Sequence, residues 1–197
     1  MNRIDILNNG LGATTNLNEC LQIDQEHLFR VVLTQKKPPL SLQELLIQIQ
    51  SYAKDIHFRV CKWVWMAVRE KLSSDLIVSI QLLSTWVINP NPYVRWFAIP
   101  VECLRPRGGW SKHISELKTQ PEMALSLLEP LKNEPEKYVQ DSVANWLNDA
   151  SKTRPSWVSD LYSQWLSESD SAFTQRIVKK AIRTINKPLK ENNHEIK

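Results

Sequence analysis

The chain has 197 residues, 42% of them apolar and 23% charged, with a net charge of +4. Those proportions fit one globular domain with a sizeable core and exclude a disordered or collagen-like chain. Four glycines, confined to Gly10, Gly12, Gly108 and Gly109, leave no phosphate-cradling loop and do not suit a many-stranded sandwich.

In chain order, residues 17–21 and 24–33 read as two short helices, with Asp24 placed to cap the second. Lys36-Lys37-Pro38-Pro39 is a break. Residues 41–53 open on Ser41 with Glu44 three positions later, a capping-box pattern at the start of a helix. Helices over 57–72 and 75–87 follow, and Asn89-Pro90-Asn91-Pro92 stops them. A helix over 93–104 is expected to end at Pro106 and Gly108-Gly109, and a short one over 112–117 comes next. Pro121 suits the first turn of a helix over 122–131. A long helix over 136–151 stops at Pro155, and helices over 156–166 and 173–186 complete the count. Residues 1–187 therefore read as one domain and 188–197 as a polar C-terminal tail.

Cys20, Cys61 and Cys103 form no Cys-x-x-Cys pair, and the four histidines share no ligand spacing. Neither a disulfide framework nor a zinc site is expected. No apolar run reaches the roughly 18 residues needed to cross a bilayer. The segment MNRIDILNNG lacks the apolar stretch of a signal peptide, so the expected compartment is the cytoplasm.

Paired helices invite a search for repeats. Tyr93-Val94-Arg95 and Tyr138-Val139-Gln140 each follow a proline-containing break, 45 positions apart. Phe58-Arg59-Val60 stands 36 positions before Val94-Arg95, and Arg176-Ile177-Val178 lies about 38 after Val139. These intervals bracket a two-helix HEAT-type unit, so the fold class is all-α, a superhelix of HEAT-like repeats with one concave edge.

Within residues 136–151, at 100° per residue, Val139, Val143, Trp146, Leu147 and Ala150 share an apolar arc that belongs to the core. Asn145, Asn148 and Lys152 cluster on the other side, and Asp149 falls between the two arcs. Asparagines are locally unfavourable inside a helix. They either bond to inter-repeat loops or line a functional site. Upstream, Glu102, Arg105, Arg107 and Trp110 surround a Pro-Gly-Gly turn. Two guanidinium groups and an indole suit phosphate recognition and stacking; alternatively, an Arg–Glu pair braces the turn over a core tryptophan. From residue 173 to 190, Arg176, Lys179, Lys180, Arg183, Lys187 and Lys190 occur with no acid. They form either a solvated helix face or a phosphate-contacting patch.

ECLRPRGGW (residues 102–110) and YVQDSVANWLNDASKTRP (138–155) resemble the bacterial DNA alkylation repair proteins with HEAT-like repeats. The AlkC-type branch is the nearer and the AlkD-type the more distant. The resemblance implies a helical horseshoe that grips double-stranded DNA on a concave basic face. It also implies a monofunctional glycosylase that releases 3-methyladenine or 7-methylguanine without metal or other cofactor, as a monomer and without a membrane. By matching positions, Asp149 and Glu102 are the carboxylates and Trp110 the aromatic wall. Arg105, Arg107, Asn145, Lys152, Lys179, Lys180 and Arg183 are the DNA-binding set. The chain departs from the pattern at Trp146, where the family has asparagine, and at Trp65, where the AlkC-type carries a further acid. Two other functions stay open: a DNA-binding relative without catalysis, for damaged or branched DNA, and a HEAT-type protein scaffold.

Overall fold

A computed structural model describes residues 40–54, 58–99 and 115–186. Among them are nine α-helices and no strand. The helices are α1 (Leu42–Ala53), α2 (Phe58–Ser74), α3 (Leu76–Ser84), α4 (Pro92–Ala98), α5 (Ser115–Thr119), α6 (Leu125–Leu128), α7 (Lys137–Ala150), α8 (Pro155–Glu168) and α9 (Ala172–Ala181). The expected helices at 17–21 and 24–33, and the tail at 188–197, lie outside the described residues. No described helix is long and apolar enough to cross a membrane.

Local chemistry sets the boundaries. Ser41 and Glu44 form the predicted reciprocal capping box, the Glu44 side chain accepting from the Ser41 amide at 2.8 Å. Asp75 caps α3 and Asn91 caps α4, each accepting from a backbone N–H of the first turn. Helix α4 stops at Ala98, well short of the expected residue 104. The cause is Pro100, whose ring pushes the preceding residue out of the helical region; Ile99 accordingly sits at φ −79°, ψ 104°. The expected helix over 122–131 is a short α6 between two 3-10 turns, Pro121–Ala124 and Glu129–Leu131. Pro121 and Pro130 each remove a backbone donor and favour these tighter ends. Helix α9 ends five residues before 186, and turns follow it.

The helices stack in two rows. Helix α1 packs on α4, α4 on α7 and α7 on α9, making one row. In the second, α3 packs on α6, and α6 is joined to α8 through side chains: Trp165 Nε1 donates to Glu129 at 2.7 Å, and Lys132 bridges Glu129 and Glu168. The helix that opens at Phe58 packs on α1 and α3, so the row neighbour of α4 is α1. Apolar residues between the rows form a continuous core. It contains the whole predicted stripe of α7, with Val139, Val143, Trp146, Leu147 and Ala150 fully buried. Of the tryptophans, Trp65, Trp86, Trp146 and Trp165 are buried, while Trp96 and Trp157 pack partly buried against them.

The predicted repeat register is visible as side-chain contacts. Tyr93 and Tyr138, the first residues of the two matched triplets, stack with ring centroids 5.6 Å apart. Arg95 makes two bonds to Glu134, at 2.7 and 2.8 Å, and also donates to the Asn89 and Pro90 carbonyls. Gln140 donates to the Glu134 backbone carbonyl and accepts from Arg176, both at 2.7 Å. One polar residue per repeat therefore pegs α4 to the turn that leads into α7, and α7 to α9. The pairing holds the Arg95 guanidinium above its ordinary pKa, chiefly through the Glu134 hydrogen bond.

Candidate functional site

The polar face of α7 presents its two ends to α9 differently. Near the N-terminal end, Asp141 accepts from Arg176 at 2.7 Å and from Lys180 at 2.9 Å. Burial pushes the Asp141 carboxyl up, but the hydrogen bonds from Lys180 and Arg176 outweigh it and hold the group below its usual range. At the C-terminal end, Asn148 is buried and donates to the Ala181 carbonyl and the Thr184 hydroxyl, both at 2.8 Å. Its amide thus takes up backbone and hydroxyl groups at the end of α9, the structural alternative raised for the asparagines. Asn145, half-buried, accepts from Arg183 Nη2 at 2.8 Å.

Asp149 lies one residue before the end of α7, with a side chain only 3% exposed. The Lys152 ammonium contacts its carboxylate, and Ser151 caps the helix. The sequence placed Asp149 at the border of the apolar arc, and burial among Trp146, Leu147 and Ala150 agrees with that position. A developing positive charge close to such a carboxylate is strongly favoured.

The predicted cations divide into two groups. Lys152, Lys180 and Arg183 are each tied to a partner on α7 or next to it: Asp149, Asp141 and Asn145. Lys179 is exposed and forms no ion pair among the described residues. Glu102, Arg105, Arg107 and Trp110, with Lys187 and Lys190, lie outside the described residues. Among the described residues no group of three or more His, Cys, Asp or Glu is arranged to hold a metal ion.

Two features escaped the sequence reading. Asp141 absorbs two bases of α9, and only its spacing of one repeat interval from Arg176 hinted at the contact. Tyr162 on α8 is buried with an unpartnered hydroxyl. Burial raises its pKa, against a smaller opposing effect of Arg183.

The model of a known family, described as the DNA alkylation repair enzyme family, matches residues 55–185. The chain belongs to that family. Helices α2 to α9 fall within the matched region. The uncharacterized protein YhaZ of Bacillus subtilis is 40% identical over 119 residues, which are 60% of this chain and 32% of YhaZ. The alkylpurine DNA glycosylase AlkC of Pseudomonas fluorescens, solved bound to DNA containing an abasic site analog, is similar at 26% identity and a TM-score of 0.56. That likeness covers 87% of this chain and 48% of AlkC. AlkD2 of Streptococcus mutans shares the fold at a TM-score of 0.66 and 20% identity, over 95% of this chain and 84% of AlkD2. The chain thus spans about a third of YhaZ and about half of AlkC.

Proposed function

We propose that this chain is a monofunctional DNA glycosylase that removes alkylated purines, such as 3-methyladenine or 7-methylguanine, from double-stranded DNA. The observation that carries this reading is the buried Asp149 carboxylate at the end of α7, in one of the two segments that resemble the family. Membership of the alkylation repair family and the likeness to a DNA-bound alkylpurine glycosylase support it.

The chemistry asks little of the protein beyond electrostatics. An alkylated purine already carries positive charge, so the C1′–N bond breaks with its electron pair going to the base, which leaves neutral. The charge passes to the sugar as an oxocarbenium ion. Asp149 stabilises that ion, and water adds to C1′ and loses a proton. Glu102 and Trp110 would complete the wall around the sugar, the indole favouring the same cation. Arg105 and Arg107 would orient the acids or engage the backbone. Asn145, Lys152, Lys179, Lys180 and Arg183 would meet phosphates along α7 and α9, with Lys179 in no ion pair among the described residues and Arg183 released from Asn145.

Incubation of the chain with methylated duplex DNA should release free 3-methyladenine or 7-methylguanine, and Asp149→Asn should lower the rate about 10²-fold or more. Release at equal rates by both proteins would sink the assignment of Asp149. A second reading is a DNA-binding relative without base excision. The burial of Trp65, at 5% exposure, in the core where the AlkC-type carries an acid favours it. That reading predicts salt-dependent duplex binding with no base released by the wild-type chain.

A further inference from the structure

Helix α9 ends at Ala181, Ile182 caps it, and Arg183 stands exposed in the turn that follows. Past the regular bonds of the helix, the direction of an exposed side chain depends on what holds its neighbours. Here the holder is Asn148, buried on α7. An amide nitrogen carries two N–H donors. Asn148 directs them to the two sides of Arg183, to the Ala181 carbonyl and the Thr184 hydroxyl, both at 2.8 Å. Neither aspartate nor leucine, of similar size, could make both bonds. One turn earlier on the same face of α7, Asn145 accepts from Arg183 Nη2 at 2.8 Å. The two asparagines thus hold Arg183 at both ends, Asn148 through its chain neighbours and Asn145 at the guanidinium. The kind of partner matters as well. Arg176 and Lys180 face the Asp141 carboxylate, so an opposite charge matches theirs. Asn145 is neutral and leaves Arg183 its whole positive charge. A charge-assisted, two-pronged bond to phosphate is stronger than one to a neutral amide, so an arriving phosphate displaces Asn145.

We propose that Asn148 is a positioning residue for DNA binding, which aims the Arg183 guanidinium at a duplex phosphate by holding Ala181 and Thr184 on either side of it. The inference rests on the DNA-binding role proposed for Arg183. When a phosphate takes the guanidinium from Asn145, the head group changes partner while the turn it hangs from stays fastened to α7. Arg183 therefore swings from a fixed point. Asn148 itself touches no DNA. The role gives a physical reason for an asparagine inside a helix, where it is locally unfavourable. It also separates Asn148 from the pegs at the other end of α7. There Gln140 and Asp141 bind the cationic heads of Arg176 and Lys180 directly and occupy them. Asn148 binds beside a cation and leaves its head group exchangeable.

Thr184→Val tests the role without touching either asparagine. The valine keeps the shape and loses the acceptor, and Asn148 keeps its bond to Ala181. Binding of the full chain to a fluorescein-labelled duplex would be followed by anisotropy over a range of salt. Arg183→Gln should weaken binding and reduce the slope of log affinity against log salt by about 1, as one phosphate contact is lost. Thr184→Val should weaken binding about threefold at low salt, the size of a surface ion pair. In the Arg183→Gln background it should have no further effect, because the residue it aims is gone. Thr184→Ala makes the same cut and carries the test if the valine variant does not fold. Thr184→Ser keeps the hydroxyl and should bind as the wild type does; a loss there overturns the positioning role. Equal losses from Thr184→Val with and without Arg183 also overturn it and leave a structural bond, as does a Thr184→Val chain that binds like the wild type. The coupled loss without base release from methylated DNA supports the positioning role and sinks the glycosylase reading. Base release beside equal losses overturns the positioning role alone. A wild-type chain that binds no duplex at low salt overturns both.

Discussion

Asp141 and Asp149 stand on one helix, and the structure holds them in different ways. Asp141 is about a third exposed, and its cations come from α9, so each bond also fastens one helix to the next. Asp149 is buried, and Lys152, its partner, lies three residues on in the same chain, so that contact joins no second helix. The upstream end of α7 belongs with Arg95, Glu134, Gln140 and Arg176 to the pegs of the stack. The downstream end combines a buried charge with a local counter-ion. A carboxylate buried in the last turn of a helix is the kind of local cost that marks a functional position.

The contrast can be broken first at the pegs. Arg95→Ala leaves Glu134, whose side chain is 3% exposed, without its cation, and should cost about 3–5 kcal/mol in chemical denaturation. A loss as small as that of an exposed ion pair would show that the upstream end is not what holds the row together. Next comes Asn148→Leu, nearly isosteric, which strips the Ala181 carbonyl and the Thr184 hydroxyl of their donor. A loss of about 1–3 kcal/mol in the same measurement is expected. An unchanged midpoint would return Asn148 to the functional side of the comparison.

The smallest effect concerns Asp141. Its pKa is lowered on folding, so its contribution to stability is present above the unfolded value near 3.9 and is lost as pH falls through the lower folded value. Asp141→Asn should cost under about 1 kcal/mol at neutral pH, given the exposure of the pair and its screening by solvent. The gap between variant and wild type should close as the pH drops below about 4. Urea titrations at several pH values measure it, and a gap that widens toward acid would mean that burial outweighs the two hydrogen bonds.

Much of the fold could be read in the sequence, because its signals are local. The Ser41–Glu44 box and the apolar arc of α7 depend on short spacing, the Tyr93 and Tyr138 register on one repeat interval, and all three recur in the structure. The end of α4 was legible too, in Pro100, which outranks the later Pro106 and Gly108-Gly109 as a stop. The site was read less completely, because its partners are distant in sequence. The row of bases on α9 looked like an open patch until folding brought Asp141 against Arg176 and Lys180. Asn148 could have served an inter-repeat bond or a groove, and only the contact with Ala181 and Thr184 decides for the first. Periodicity assigns a residue to a face, but it cannot say which neighbour covers that face. The motif around Glu102 and Trp110 is legible only as a resemblance, since it lies outside the described residues.

The pegs linking Arg95, Glu134, Gln140 and Arg176 also bear on kinetics. They fix the mutual orientation of α4, α7 and α9 when the chain folds, before any ligand arrives. A duplex laid across these helices would meet a preorganised surface, and little ordering entropy would be left for the moment of association. Capture should then proceed at the rate of electrostatically steered encounter, with dissociation setting how long each stretch of DNA is held.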